Sequence, residues 1–491
     1  MRSTTETLLD NTLWHGAITV FGLAGGVLMS IVLARGLGPL LMGEYSYALW
    51  AMRTVSALAT LALALGTVRY TAAAFGQANP ELAAAFLSLF LRWQVLAAGV
   101  VVAVVIPLVL GVAPADLRWL LVVGAVAVFP ITIESIYTNA LYGARRYDLT
   151  ARNTVVKTSL HLLAAIAAVL AGAGALGVLI GVTLGTVVSC LLQWRRVAHL
   201  YPAAQDRVPA ATRAEMWAYL VPQSAAVALD GLVWDRSEVF FLRIYTTPEE
   251  IAFYSLAFGL AIKLKLLPGI VNGALLPTLA HLHGRGAVAE FGALYRATLR
   301  YVALTATPLA VLGIVLAPGI VTMLYGPAYD PAARLLAWLL AFSAISSMRV
   351  TAWYALGAMG DRTWTLGITL VAAALNIAAA ALLIPRLGTM GAVMATGAAQ
   401  VLVTLAGLLV VGRLRGCGFP FLDVARVTLA AGVALGVYMA LPFGDATVPE
   451  LLVAGTVTLA VFSLVCVLTG AVGSREYSIV VSATRRLMAR A

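Results

Sequence analysis

Leu33 to Ala48 reads LARGLGPLLMGEYSYA, and Leu242 to Ala257 reads LRIYTTPEEIAFYSLA. At an offset of 209, Pro39 meets Pro248, Tyr45 meets Tyr254, Ser46 meets Ser255 and Ala48 meets Ala257. The echo continues downstream at an offset of 214, where Gly143-Ala144 meets Gly357-Ala358 and Gly177 meets Gly391. Self-similarity at a nearly fixed offset is the signature of a repeated unit. What is repeated is set by the segments between the echoes.

Those segments are apolar and long. A helix needs about 20 apolar residues to cross ~30 Å of hydrocarbon. That ruler predicts fourteen crossings, over 12–34, 45–67, 86–112, 118–141, 154–173, 175–194, 218–243, 251–273, 299–325, 334–356, 364–384, 388–412, 423–441 and 449–472. A β-barrel would show stretches of about ten residues with alternating polarity. Val95 to Val105 is continuously apolar, so helices are expected. Each repeat holds six crossings. Six is even, so the halves share an orientation and are related by an axis along the membrane normal. The expected fold is all-α: a polytopic membrane protein of about 14 transmembrane helices, with two parallel six-helix lobes plus two C-terminal helices. The lobes are expected over 1–200 and 201–415, and the last two crossings with a basic tail over 416–491.

Composition agrees. Of 491 residues, 62% are hydrophobic and 11% charged, against about 45–50% and about 25% in soluble domains. A cytosolic enzyme, a disordered chain and a secreted disulfide scaffold are excluded. The net charge of +11 does not point to nucleic acid, because the basic residues sit at the ends of apolar runs. With the N-terminus inside, 22 of the 32 basic residues fall on the inner side, Lys157 counted among them. Five face out: Arg35, Arg118, Arg243, Arg334 and Arg386. This bias places both termini in the cytoplasm and the protein in the cytoplasmic (inner) membrane. The first run, which lacks a cleavage pattern before Trp14, is read as a retained span. Cys190, Cys417 and Cys466 form no CxxC, and no metal site is implied. The tail from Arg475 is either an interfacial helix or a basic stop-transfer segment.

Charges inside the spans are the functional candidates, since each costs ~2.5–3.5 kcal/mol at mid-span unless it finds water or a partner. Arg53 lies roughly 12 Å into the second run at 1.5 Å per residue. The repeat carries it to Ile262, beside Lys263 in the eighth run. Arg349 stands in the tenth run, and Glu134 maps to its neighbour Met348, so a Glu134–Arg349 pair is expected. Lys265 is about 200° around the helix from Lys263. Arg53, Lys263, Arg349 and Lys265 either line a cationic cavity for an anionic substrate or form ion pairs that lock the halves. The seventh run carries Asp230, Asp235, Arg236 and Glu238. A carboxylate there either binds Na⁺ or a proton that drives transport, or is spent in a local Asp235–Arg236 pair. Asn376 and Thr396 are weaker polar candidates. His161 reads as a packed, hydrogen-bonded histidine, and His281 and His283 as part of a solvated connection. Gly177, Gly181 and Gly185 read as helix packing.

No GxxxxGK[ST], HExxH or GxSxG is present, so a transporter is expected rather than an enzyme, with no cofactor beyond a coupling Na⁺ or H⁺. A repeat of this kind favours a transporter over a channel.

The chain resembles the polysaccharide-transporter (O-antigen flippase-like) branch of the multidrug/oligosaccharidyl-lipid/polysaccharide exporter superfamily. Ala34-Arg35-Gly36-Leu37-Gly38-Pro39 with Gly43-Glu44-Tyr45, then Asp235-Arg236, Pro248 to Ala257 and Leu324 to Tyr329 carry the likeness. Asn376, Ile384-Pro385-Arg386-Leu387-Gly388 and Gly391-Ala392 complete it. The resemblance implies two six-helix lobes around a central cavity, and passage of a polyprenyl-diphosphate-linked glycan between leaflets. It implies diphosphate binding by Arg53 and Lys263, which occupy matching spans, and Na⁺ binding by Asp235, Asn376 and Thr396. Ala380 stands where the family expects a second acid, which leaves protons open. Expected partners are the lipid-linked glycan, membrane lipids and a glycan polymerase or glycosyltransferases. The alternatives are a cation-coupled multidrug exporter and a membrane glycan polymerase or ligase.

Overall fold

A computed structural model describes residues 4–60, 62–202, 208–234, 236–264, 272, 275–441 and 448–472. Among them the regular structure is helical throughout. The helices are α1 (Thr4–Thr60), α2 (Leu63–Gly76), α3 (Pro80–Val112), α4 (Ala115–Gly143), α5 (Tyr147–Leu170), α6 (Gly174–Leu200), α7 (Ala210–Trp234), α8 (Glu238–Tyr245), α9 (Pro248–Leu264), α10 (Leu275–Gly284), α11 (Val288–Tyr325), α12 (Pro331–Ser346), α13 (Arg349–Ala358), α14 (Arg362–Arg415), α15 (Phe421–Ala440) and α16 (Val448–Leu468).

Local chemistry accounts for the boundaries. Asn79 caps α3 by accepting the Leu82 amide at 2.9 Å, with Pro80 and Glu81 opening the first turn, where a fixed φ and a negative charge suit the helix start. Further along α3, Leu96, Val100, Val104, Leu108 and Val112 form a stripe at four-residue spacing. All are 59–77% exposed. Such a stripe is stable only against lipid. Two rods exceed any membrane thickness and are pairs of helices joined by one glycine. In α1 the break is Gly38, at φ 73°, followed by Pro39. In α14 it is Gly388, at φ 55°. Positive φ is accessible to glycine without a Cβ clash.

Ten of the described helices are long and apolar enough to span a bilayer. Dividing the two kinked rods gives twelve, and α7 and α9 fill the seventh and eighth expected crossings. The protein is a multi-pass membrane protein. The expected seventh crossing is interrupted: α7 ends at Trp234 and α8 restarts at Glu238. Between them Arg236 takes φ 63°. The expected second crossing is likewise made of two pieces, the end of α1 and α2. The stretch holding His281 and His283 was expected to be a connection and is helical, in α10.

The chain divides into two compact units, Met1–Ala252 and Phe253–Ala491. In the first, Phe86, Phe90, Ile136, Leu141, Met216 and Leu220 form the core of the α2–α3–α4 region. There α7 packs in as well: Ser224 Oγ accepts the Ala62 amide at 3.2 Å, and Trp217 lies 4.4 Å from Trp93. In the second, Phe291, Tyr295, Leu299, Val302, Leu356 and Phe462 join α11, α13 and α16.

The duplication is visible in backbone detail. Gly174, which opens α6, has φ 61°, and its partner 214 residues on is the Gly388 break. The end of α4 closes on α2, with Gly143 against Thr71, and the end of α13 closes on α10, with Gly357 against Leu276.

Candidate functional site

Arg53 and Lys263 occupy the same level of their repeats. Each rides the helix that begins at the shared proline, Arg53 14 residues after Pro39 and Lys263 15 after Pro248, or about 21–22 Å along the axis. Arg53 is exposed and Lys263 half-buried. Arg349 opens α13 just after the Ser347–Met348 turn, with its guanidinium carbon 5.6 Å from the Trp353 ring centroid. Lys265 and Asp235 lie outside the described residues. Asp230 is on α7, and its side chain is outside the description. Glu238, at the first turn of α8, is fully buried.

Asn376 and Thr396 belong to the two halves of α14 and are both buried, at 1% and 5% exposure. The Thr396 hydroxyl is 3.1 Å from the Tyr254 hydroxyl. Nearby polar contacts in this unit are also neutral. Thr351 donates to Asn272 Oδ1 at 2.8 Å, and Ser346 donates to Gln400 Oε1 at 3.2 Å.

The first unit holds a charged counterpart that the sequence reading missed as a group. Glu134 on α4 is buried, and its Oε2 accepts Lys157 Nζ from α5 at 2.5 Å. Its Oε1 accepts Ser189 Oγ at 2.6 Å and Gln193 Nε2 at 3.2 Å, both from α6. Ser189 in turn accepts Asn153 Nδ2 at 2.8 Å, and Gln193 Oε1 accepts Thr138 at 3.0 Å. Asn153 Oδ1 is buried with no hydrogen-bond donor against it. One turn beyond Lys157, His161 Nε2 lies 3.1 Å from Thr186 Oγ1. That hydroxyl donates to the Val182 carbonyl, so the imidazole nitrogen is the donor and His161 is the hydrogen-bonded histidine expected.

One expectation is corrected here. The cation that Glu134 takes is Lys157, not Arg349. Lys157 lies ten residues into α5, a neighbour of α4 in the same bundle. Gly181 and Gly185 let α5 approach, a Cβ on either meeting Ala164 or His161 at 2.8 Å, which agrees with the packing role read for them. The signal that could have revealed the network was the set of polar residues at four-residue spacing, Asn153-Lys157-His161 and Ser189-Gln193, facing Glu134.

Among the described residues no group of three His, Cys, Asp or Glu side chains is placed to hold a metal. The arrangement instead offers cations at matched levels and one buried carboxylate with protein donors on three sides.

Comparison with known proteins places the chain. Residues 32–334 match the family described as polysaccharide biosynthesis protein, and residues 260–463 match the lipid II flippase MurJ family. No curated protein sequence matches. Among solved structures, the lipid II flippase MurJ in an inward closed conformation superposes with a TM-score of 0.75 at 14% identity, over 93% of this chain and 98% of that one. An inward-facing multidrug resistance MATE family transporter of the MOP superfamily gives 0.67 at 14% identity, over 80% and 96%. An outward-facing one gives 0.57 at 16%, over 83% and 95%. The polysaccharide biosynthesis match spans over half of the residues, and the chain belongs to the polysaccharide biosynthesis protein family.

Proposed function

We propose that this membrane transporter carries a lipid-linked oligosaccharide, anchored on a polyprenyl diphosphate, from the inner to the outer leaflet of the cytoplasmic membrane by alternating access. The observation that carries the reading is the pair Arg53 and Lys263, one cation at the same level of each repeat, in a chain of the polysaccharide biosynthesis family. A diphosphate and its sugars do not cross hydrocarbon unaided, because stripping water from a charge costs several kcal/mol even after relaxation. Each cation offers charge-assisted hydrogen bonds to a phosphate. Arg349 is a third candidate for the head, and Lys265 a fourth. The prenyl tail stays in lipid while the halves rock. Asp230, Asp235, Asn376 and Thr396 are the candidates for a coupling Na⁺ in the second repeat. Both termini face the cytoplasm in this reading, and glycan-assembling enzymes are the partners.

The fold shared with multidrug exporters supports a second reading, export of organic cations. Cationic cargo would be repelled by Arg53 and Lys263, so the charge of the matched pair favours the anionic glycan carrier. The test is leaflet exchange of a lipid-linked sugar in vesicles containing the purified protein. Arg53→Ala and Lys263→Ala are each expected to slow exchange by tenfold or more, the loss of about 1.4 kcal/mol or more of binding to the moving charge. Wild-type rates in both variants, or transport of an organic cation in place of the sugar, would remove the proposal.

A further inference from the structure

We propose that the Glu134–Lys157 pair is a proton-binding site through which the first repeat couples transport to a proton gradient. This rests on the transport reading above and adds a driving ion and its residues.

Depth is the first argument. Glu134 is nine residues from the end of α4 and Lys157 ten from the start of α5, about 14–15 Å inside each helix and within the fourth and fifth expected crossings. An ionisable side chain at that depth is retained against a large insertion cost.

The second argument is an internal control. The second repeat has none of these groups at the corresponding places. At an offset of 214, Glu134 becomes Met348, Lys157 becomes Val371, Ser189 becomes Val403 and Gln193 becomes Gly407, while Asn153 becomes Gly367 and Thr138 becomes Ala352. The charges are therefore not part of the duplicated plan, and buried ion pairs are commonly no better than apolar packing for stability. What the first repeat holds at this place, and the second lacks there, is a carboxylate that can change its charge.

Access is the third. The Glu134 side chain is 6% exposed, whereas that of Lys157 is 32% exposed, so the lysine is the open side of the pair. Asn153 Oδ1 adds a buried acceptor at the other end of the chain that runs through Ser189 to Glu134.

The step is one proton. Glu134 Oε2 takes H⁺ and becomes a neutral carboxyl, no other bond is made or broken, and the site passes from neutral to a single uncompensated ammonium. That charge favours release of Lys157 from α4, while Ser189 and Gln193 keep α6 attached. Loss of the proton closes the pair again. Other titratable groups around it are His161 on α5, held by Thr186, Cys190 on α6 and Tyr137 on α4. From the helices packed alongside, Glu44 of α1 faces Arg243 and Asp116, Arg53 lies toward Tyr45, Arg69 of α2 stacks on Tyr219, and Arg92 of α3 is exposed.

The experiment has two readouts on the full-length protein in vesicles. Infrared difference spectra across pH should show a carboxyl C=O band that disappears in Glu134→Gln. Exchange of a lipid-linked sugar should accelerate under an imposed proton gradient in the wild type. Glu134→Gln, and the double variant Glu134→Met with Lys157→Val that copies the second repeat, should keep exchange without a gradient and lose the acceleration. A carboxyl band that persists in Glu134→Gln, or undiminished gradient dependence in either variant, overturns the proton site. Absence of exchange in the wild type overturns the substrate reading instead, and the Glu134 band then still decides the proton site by itself.

Discussion

Corresponding places in the two repeats carry opposite chemistry. Between α4, α5 and α6 a carboxylate meets an ammonium, a hydroxyl and an amide. At the corresponding place on α14, Val371, Leu375 and Val403 line an apolar groove of about 610 Å³ with Trp364 and Arg413 toward one end. Elsewhere in this unit Tyr254 pairs with Thr396 and Ser346 with Gln400. Duplication thus preserved backbone geometry, down to a left-handed glycine at Gly174 and Gly388, while the side chains diverged. Geometry is set by helix length and close packing, which many apolar sets satisfy. A buried charge is satisfied only by a particular partner.

The sharpest way to break this comparison is to strand one charge. Lys157→Met leaves Glu134 buried without its cation and is expected to lower unfolding stability by about 3–5 kcal/mol. Adding Glu134→Met should return most of it, because the second repeat packs a methionine at that place. Denaturant unfolding in detergent reads both, and a single variant as stable as the double would show that the pair is not held as described. The converse experiment brings charge into the apolar repeat. Val371→Lys is expected to cost about 2.5–3.5 kcal/mol, with partial recovery when Met348→Glu is added; a neutral single variant would mean that the groove is wet.

The smallest test concerns backbone approach. A Cβ on Gly143 would stand 2.0 Å from Thr71 Oγ1, and that hydroxyl is fixed by its bond to the Thr67 carbonyl at 2.7 Å. Gly143→Ala should therefore destabilise by about 1–3 kcal/mol. At Gly357 the nearest atom to such a Cβ is Leu276 Cδ1 at 3.6 Å, an ordinary contact, so Gly357→Ala should be neutral or stabilise by up to about 1 kcal/mol through helix propensity. Equal effects in melting experiments would mean that the two closures are alike after all.

Hydropathy alone accounted for the crossings, because each of these helices must present about 20 apolar residues to lipid whatever its neighbours are. The offset of the echoes identified the duplication, since Pro39 and Pro248, and Gly143 and Gly357, sit at places where backbone rather than side chain is constrained. Single residues were also legible: Arg53 and Lys263 could be matched by counting. What counting missed was partnership. Arg349 was the nearest charge to Glu134 by repeat arithmetic, yet Lys157 takes the carboxylate because α4, α5 and α6 are neighbours in one bundle and a hydrogen bond acts only within about 3 Å. The interruption after Trp234 falls among Asp235, Arg236 and Glu238, charges that the sequence marked as functional candidates and not as a break.

The one-dimensional order of residues thus determined which segments enter the membrane, how many times, and that two copies of one plan are present. Burial against lipid depends on local composition, and local composition is written along the chain. Tertiary structure alone decided that Glu134, Lys157, Ser189 and Gln193 converge, because an ion pair in a low-dielectric interior depends on distances between helices, and those are settled by how small and large side chains on separate segments fit together.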